Sequence, residues 1–170
     1  AGTNAILDAT GMWTAIGFMN RLQSNSFYTA ASVDAINKQV VLENITSYTS
    51  LSLIPQIDFE LTDCLLLVGT NPVVSHGHLA GIPYPAKRIR DIIKRGGSVI
   101  VADPYTSKTA ERASLHIKPL PGSDYAWLAF TIRELLSDPE SEAVDHDYLK
   151  NHAMGLAELK ATTDYFNEER

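Results

Sequence analysis

Cys64-Leu65-Leu66-Leu67-Val68-Gly69-Thr70-Asn71-Pro72 is an apolar run that stops abruptly on a polar turn. A short apolar run bounded by turn residues reads as a strand buried in a parallel sheet. A second run of the same kind, Ser98-Val99-Ile100-Val101-Ala102, stops at Asp103-Pro104. Between the two, Pro83 and Pro85 lead into a helix over about Ala86 to Lys94, which Gly96-Gly97 terminates. Strand, helix, strand, with a polar turn after each strand, is a βαβ unit. Ligands of such sheets sit outside the carboxyl ends of the strands. A third turn, Pro121-Gly122-Ser123-Asp124, opens a later helix and completes the set.

The flanking pattern extends the same architecture. Ala5 to Leu7 reads as a first short strand, followed by a helix with a stripe through Ile16, Met19 and Leu22. Phe27 to Asp34 is a polar, small-residue turn. A second amphipathic helix is expected from Val33 to Glu43, with Ile36, Val40 and Val41 inward, and Thr46 to Asp58 is a crossing. After the second strand come a short helix near Thr109 to Ala113, an edge strand from Leu115 to Lys118, and a helix from Tyr125 to Leu136 with Asp124 as its N-cap. Asp138-Pro139-Glu140 is a linker, and two short acidic helices, near Asp147 to His152 and Leu156 to Phe166, follow. The expected fold is α/β, a three-layer αβα arrangement with a Rossmann-like, mostly parallel sheet, forming a single domain over residues 1–170.

The totals exclude several classes. A net charge of −6 over 170 residues argues against a general nucleic-acid binder. Lys87, Arg88, Arg90, Lys94, Arg95, Lys108, Arg112 and Lys118 crowd the middle, either as the solvated face of a helix or as a rim facing a polyphosphate or a partner. The single cysteine, Cys64, rules out an internal disulfide and leaves no Cys cluster for zinc or iron–sulfur, and its place in the strand reads as core. No signal peptide or membrane-spanning run is visible. The chain opens on Ala1 almost directly into a strand, so a segment of something longer is expected. The compartment is left open between cytoplasm and periplasm.

The turns carry the chemistry. Gly69 lets the backbone approach a ligand closely, and Thr70 and Asn71 add short hydrogen-bonding groups. Asp103 stands where an α/β nucleotide site often places an acid for ribose hydroxyls. Thr106 and Ser107 are donors for a phosphate. Asp124 is a helix cap or an acceptor for the adjacent donors of a guanine edge. No Gly-x-Gly-x-x-Gly and no phosphate-loop Gly-Lys-Thr/Ser is present, which counts against a plain nicotinamide enzyme and an ATPase. His76-Gly77-His78 lacks a nearby third ligand and reads as solvent-facing.

Taken in order, these stretches resemble the catalytic subunit of the molybdopterin oxidoreductases, the dimethyl-sulfoxide-reductase and formate-dehydrogenase family. Three stretches carry the likeness: Thr62-Asp63 through Gly69-Thr70-Asn71-Pro72, Gly97 through Asp103-Pro104-Tyr105-Thr106, and Ala113 through Pro121-Gly122-Ser123-Asp124. The resemblance implies a Rossmann-like domain that holds one of two molybdopterin guanine dinucleotides, which chelate molybdenum or tungsten. Gly69, Thr70 and Asn71 would line the pterin–pyrophosphate path, Asp103 and Thr106 the ribose or phosphate, and Gly122, Ser123 and Asp124 the guanosine end. Tyr105 replaces the family's usual Arg, and Ser123 its Thr. The protein metal ligand of the family falls near Tyr28 to Asp34, where Thr29, Ser32 and Asp34 are the candidates and a metal without a side-chain ligand is the alternative. The segment is expected to be inactive alone. Its implied partners are the remaining domains of the same subunit, where an iron–sulfur cluster is expected, and an electron-transfer subunit. The parent reaction is two-electron redox or oxygen-atom transfer. One alternative is the cofactor-free scaffold domain of an iron–sulfur subunit of respiratory NADH dehydrogenase. Another is an unrelated nucleotide-binding domain, such as the middle domain of a thiamine enzyme.

Overall fold

The structure is a computed structural model that describes residues 9–28, 36–47, 57–77, 81–139 and 141–166. The chain divides into two compact units, Ala1–Gln56 and Ile57–Arg170. In the first, the described residues form helices α1 (Ala9–Arg21) and α2 (Ile36–Thr46). The strand expected at Ala5 to Leu7 lies outside the described residues, as do residues 29–35 and with them Thr29, Ser32 and Asp34. Ile16 and Met19 are half-buried on α1, whereas Leu22 lies past its end and is exposed. On α2 the expected inward set is overturned. Ile36, Val40 and Val41 are exposed, and Gln39, Leu42, Glu43 and Thr46 are the half-buried positions. Apolar residues are spread around this helix, so periodicity alone selects no face. A hydrogen bond from Gln39 Nε2 to Glu43 Oε1 (2.8 Å) lies along the half-buried stripe.

The second unit holds the sheet. Its elements run β1 (Cys64–Val68), α3 (Pro72–Ser75), α4 (Pro85–Lys94), β2 (Ser98–Ala102), a 3-10 turn (Ala110–Arg112), β3 (Leu115–Ile117), α5 (Asp124–Ser137), α6 (His146–His152) and α7 (Leu156–Thr163). The strands pair in the order β1-β2-β3, all parallel. An α/β fold with a parallel sheet is what the sequence pattern calls for. Parallel pairing requires a crossover, and α4 with its loops supplies it between β1 and β2.

Strand alternation fills one face of the sheet. Leu65, Leu67, Val99 and Val101 pack with Ile89 and Ile92 of α4 and with Ala110. Ile92, Val99 and Val101 are fully buried. Burial of a side chain of this size contributes about 1.5–3 kcal/mol. α4 starts with Pro85 at its first turn, where the missing N–H costs nothing. It ends in Gly96-Gly97, and the second of these glycines is set by crowding. A β-carbon on Gly97 would lie 2.7 Å from the Asp63 carbonyl oxygen and 2.8 Å from Ile92 Cγ2.

The opposite face corrects the reading of Cys64. The same alternation points Cys64, Leu66 and Val68 away from α4, and Cys64 is exposed. Leu66 is 47% exposed, Val68 38% and Leu115 of β3 52%. A continuous apolar run suggests burial on both sides. Here the packed side is the one that carries Leu65 and Leu67. Elsewhere in this unit α5 packs against α7, and the ring of Tyr125 meets Phe166 edge-on with centroids 6.1 Å apart. Among the described residues no helix is long and apolar enough to cross a membrane.

Candidate functional site

The register of the sheet aligns the ends of its three strands. Val68 pairs with Ala102, and Ala102 with Ile117, so the chain leaves all three strands at one level on the carboxyl edge. The ladder continues one residue into two of the turns. Gly69 N donates to the Ala102 carbonyl (2.9 Å) and Asp103 N to the Ile117 carbonyl (3.0 Å). Adjacent strands lie about 4.8 Å apart, so Gly69 and Asp103 are neighbours across that edge. Gly69 has φ +55°, a conformation that L side chains adopt only at a cost, and a β-carbon there would meet nothing within 4 Å. The space above it is open. Thr70 beside it is half-buried.

Asn71 is more tightly defined. It occupies the N-cap position of α3, but its side chain makes no capping bond. Instead, Asn71 Oδ1 accepts a hydrogen bond from Thr109 Oγ1 (2.7 Å), and Thr109 Oγ1 accepts from Val73 N (3.1 Å). Thr109 is fully buried. The loop after β2 is thereby tied to the turn after β1 through side chains far apart in sequence.

Asp103 is half-buried. Its Oδ1 accepts from Tyr105 N (2.9 Å), which closes the turn, and its carbonyl accepts from His116 Nε2 (2.8 Å). Oδ2 has no protein partner among the described residues. Thr106 is exposed, whereas Ser107 is buried and its Oγ accepts from Ala110 N (3.2 Å). Ser107 and Thr109 are therefore structural hydroxyls of this loop, and Thr106 is the one open to a ligand. Tyr105 is 74% exposed.

The third turn departs from expectation in one detail. Ser123, not Asp124, is the N-cap of α5, and neither side chain makes a capping bond. Ser123 Oγ donates to the Leu120 carbonyl (2.8 Å). Asp124 is the first helical residue, where a carboxylate is favoured by the helix dipole, and its Oδ1 accepts from Trp127 Nε1 (3.3 Å). Gly122, at φ +87°, again has open space where a β-carbon would stand. Lys118, the first residue beyond β3, is exposed at the same level as Gly69 and Asp103.

Most of the basic cluster is engaged in structure. Lys87 pairs with Asp91 (2.5 Å), Arg88 with Glu60, and Lys108 with Glu111 (3.3 Å). Arg95 Nη2 donates to the carbonyls of Phe59 and Thr62 (both 2.9 Å). Arg112 Nη1 donates to the Lys108 carbonyl (2.7 Å). The hydrogen bond from Lys87 and the neighbouring positive charges hold the Asp91 carboxyl below its ordinary value of 3.8. Among the described residues no three His, Cys, Asp or Glu side chains gather into a metal site. His76 Nδ1 lies 3.2 Å from the Ile82 carbonyl, and His78 is outside the described residues.

Thr109 is the site-forming residue that turn reading misses. A Thr inside a helix-forming stretch gives no local signal, because its partners are Asn71 and Val73, far upstream.

Known proteins share this segment. The chain is 31% identical over 112 residues to the F420-dependent formate dehydrogenase 1 subunit alpha of Methanococcus maripaludis, covering 66% of this chain and 15% of that subunit. It is 33% identical over 115 residues to a nitrate reductase of Synechocystis, with the same two coverages, 66% and 15%. Acetylene hydratase from Pelobacter acetylenicus has the same fold, with a TM-score of 0.64 at 23% identity over 88% of this chain and 19% of that one. No protein-family model matches the chain. The chain thus spans 15% of the length of the formate dehydrogenase and nitrate reductase it matches.

Proposed function

We propose, because the chain is homologous to one segment of the molybdopterin oxidoreductases, that it is the part of a longer catalytic subunit that grips a molybdopterin guanine dinucleotide. One observation carries the proposal: the three parallel strands end in register, with a polar turn directly after β1 and after β2 tied together through Asn71 and Thr109, and with the Pro121-Gly122-Ser123-Asp124 turn following three residues beyond β3. The donors and spaces present suit such a ligand. Gly69 leaves open room beside the backbone, and the Asn71 amide nitrogen and Asp103 Oδ2 have no protein partner among the described residues.

When bound, the cofactor supplies two-electron redox chemistry at molybdenum or tungsten. The protein's own residues bind and orient it. Gly69, Thr70 and Asn71 line the path of the pterin and pyrophosphate, with the Asn71 amide donating. Thr106, at the open end of the β2 loop, donates to phosphate, and Asp103 Oδ2 accepts from a ribose hydroxyl. Gly122 and Ser123 shape the turn at the guanosine end. Asp124, at the start of α5, accepts from the paired donors of a guanine edge through both carboxylate oxygens, since the Trp127 bond uses only one lone pair of Oδ1. Lys118 is the cation at this edge available to a pyrophosphate, where Tyr105 brings none. The remaining domains of the subunit and an electron-transfer partner complete the enzyme.

The test is the metal and pterin content of the full-length parent chain, with Asp103→Asn and Asp124→Ala beside the wild type. The proposal expects molybdenum or tungsten with guanine dinucleotide in the wild type and a fall in both variants. A parent chain that holds neither metal nor pterin overturns it. Tyr105, exposed and uncharged, favours the second reading, a cofactor-free scaffold domain of an iron–sulfur subunit. Under that reading Asp124→Ala leaves cofactor content and activity as they were.

A further inference from the structure

We infer that Thr109 is a positioning residue which fixes the Asn71 side-chain amide with its oxygen inward and its nitrogen outward, as a donor to an anionic ligand at the carboxyl edge. The inference rests on the cofactor-site reading above and extends it to a residue that touches no ligand.

A backbone N–H only donates, so the 3.1 Å contact from Val73 N uses a lone pair of Thr109 Oγ1. The hydroxyl proton must then find an acceptor, because Thr109 is 0% exposed and cannot turn to water. The atom at 2.7 Å supplies that acceptor only if it is Asn71 Oδ1. Rotating the amide by half a turn would bring Nδ2 to the same place. Two donors would then face one hydroxyl, whose own proton would be left buried and unpaired. The hydroxyl therefore selects one of the two amide orientations.

The consequence is a directed donor. With Oδ1 held inward, Nδ2 is the free end of the side chain, and it has no protein partner among the described residues. No buried side-chain nitrogen or oxygen among those residues lacks a partner, and Asn71 is not an exposed residue, so Nδ2 reaches solvent. The normal duty of an N-cap Asn is to accept the N–H of the second or third helical residue. Here Thr109 accepts that N–H, from Val73, and so releases Asn71 from capping. A hydroxyl contributed by the loop after β2 thus caps the helix after β1 and frees the cap residue to face a ligand.

The experiment uses the full-length parent chain without its cofactor and guanosine 5′-diphosphate as the probe, with binding measured by calorimetry and folding by thermal melting. Thr109→Val, which keeps the shape and removes the hydroxyl, is expected to weaken binding by about tenfold, the worth of one charge-assisted hydrogen bond. Thr109→Ser, which keeps the hydroxyl, is expected to bind like the wild type. The double variant N71A/T109V is expected to bind no more weakly than N71A, because Thr109 acts only through Asn71. Asn71→Asp keeps an acceptor for Thr109 and replaces the outward donor with negative charge, so it is expected to melt near the wild type and lose binding. That variant keeps the inference testable if T109V does not fold. Wild-type affinity in a folded T109V or in N71D, or additive losses in the double variant, overturns the inference. A wild-type chain that binds no diphosphate overturns the cofactor-site reading and this inference with it.

Discussion

A β-carbon on Gly69 would meet open space, whereas one on Gly97 would press within 2.7 Å of the Asp63 carbonyl oxygen. The two glycines therefore fail differently. Gly69→Ala is expected to cost about 1 kcal/mol, the price of a left-handed backbone for an L residue, and Gly69→Asn to cost less, since Asn tolerates that region. Urea titration reads both values. Both variants are expected to lose nucleotide affinity beyond the stability change, because the added atoms enter the open space at the carboxyl edge. Gly97→Ala is expected to cost about 1–3 kcal/mol through overpacking, with affinity in the folded fraction unchanged, because Gly97 precedes β2 at the opposite edge. Equal nucleotide affinity in Gly69→Ala and wild type would tell against a ligand at that turn. At this scale the glycines and acids of the turns were legible, since turns use few residue types. Thr109 was not, because its role depends on a partner brought close only by folding.

Helix α4 shows what an element contributes and how far its sequence can be read. Its bounds follow from Pro85 and from the Gly96-Gly97 stop, and both stand within a residue of expectation. Its buried face is Ile89 and Ile92, and Ile92→Ala is expected to destabilise by about 2–5 kcal/mol in chemical denaturation. On its exposed side the Lys87–Asp91 pair titrates. The folded-state carboxyl lies below its ordinary value of 3.8, so its stabilisation is present above that pH and is lost as pH falls through the lowered value. Asp91→Asn is expected to flatten the stability profile in that acid window and leave it unchanged near neutrality in shape, as seen by melting across pH. Helix α2 marks the opposite case. Its apolar residues lie all round, so the buried face was set by packing and not by spacing. Asp124 is a milder instance, displaced by one position from cap to first helical residue, a shift that residue preference alone cannot resolve.

For the whole molecule, parallel pairing was legible because each run had a crossover-length interval and a turn after it, whereas the order β1-β2-β3 comes from the structure. The face each strand presents was not, since a run of Leu, Leu, Leu and Val is apolar on both sides and only the position of α4 separates them. Cys64, in the same run, is exposed for that reason, contrary to the core position its strand suggests. If the chain is one segment of a larger enzyme, its ligand is shared with regions it does not contain. Affinity for guanosine diphosphate in the isolated 170-residue chain is then expected to be weaker than in the full-length parent, by calorimetry on both.

Cys64, the single thiol in these 170 residues, stands on the sheet face that α4 leaves uncovered. It is thus a built-in gauge of whatever comes to lie there. Its alkylation by a maleimide in the free chain is expected to run at the pace of an unhindered cysteine, and to slow in any assembly that seals Leu66 and Val68 from water. A single mass shift, timed with and without the rest of the enzyme, records the closing of that face.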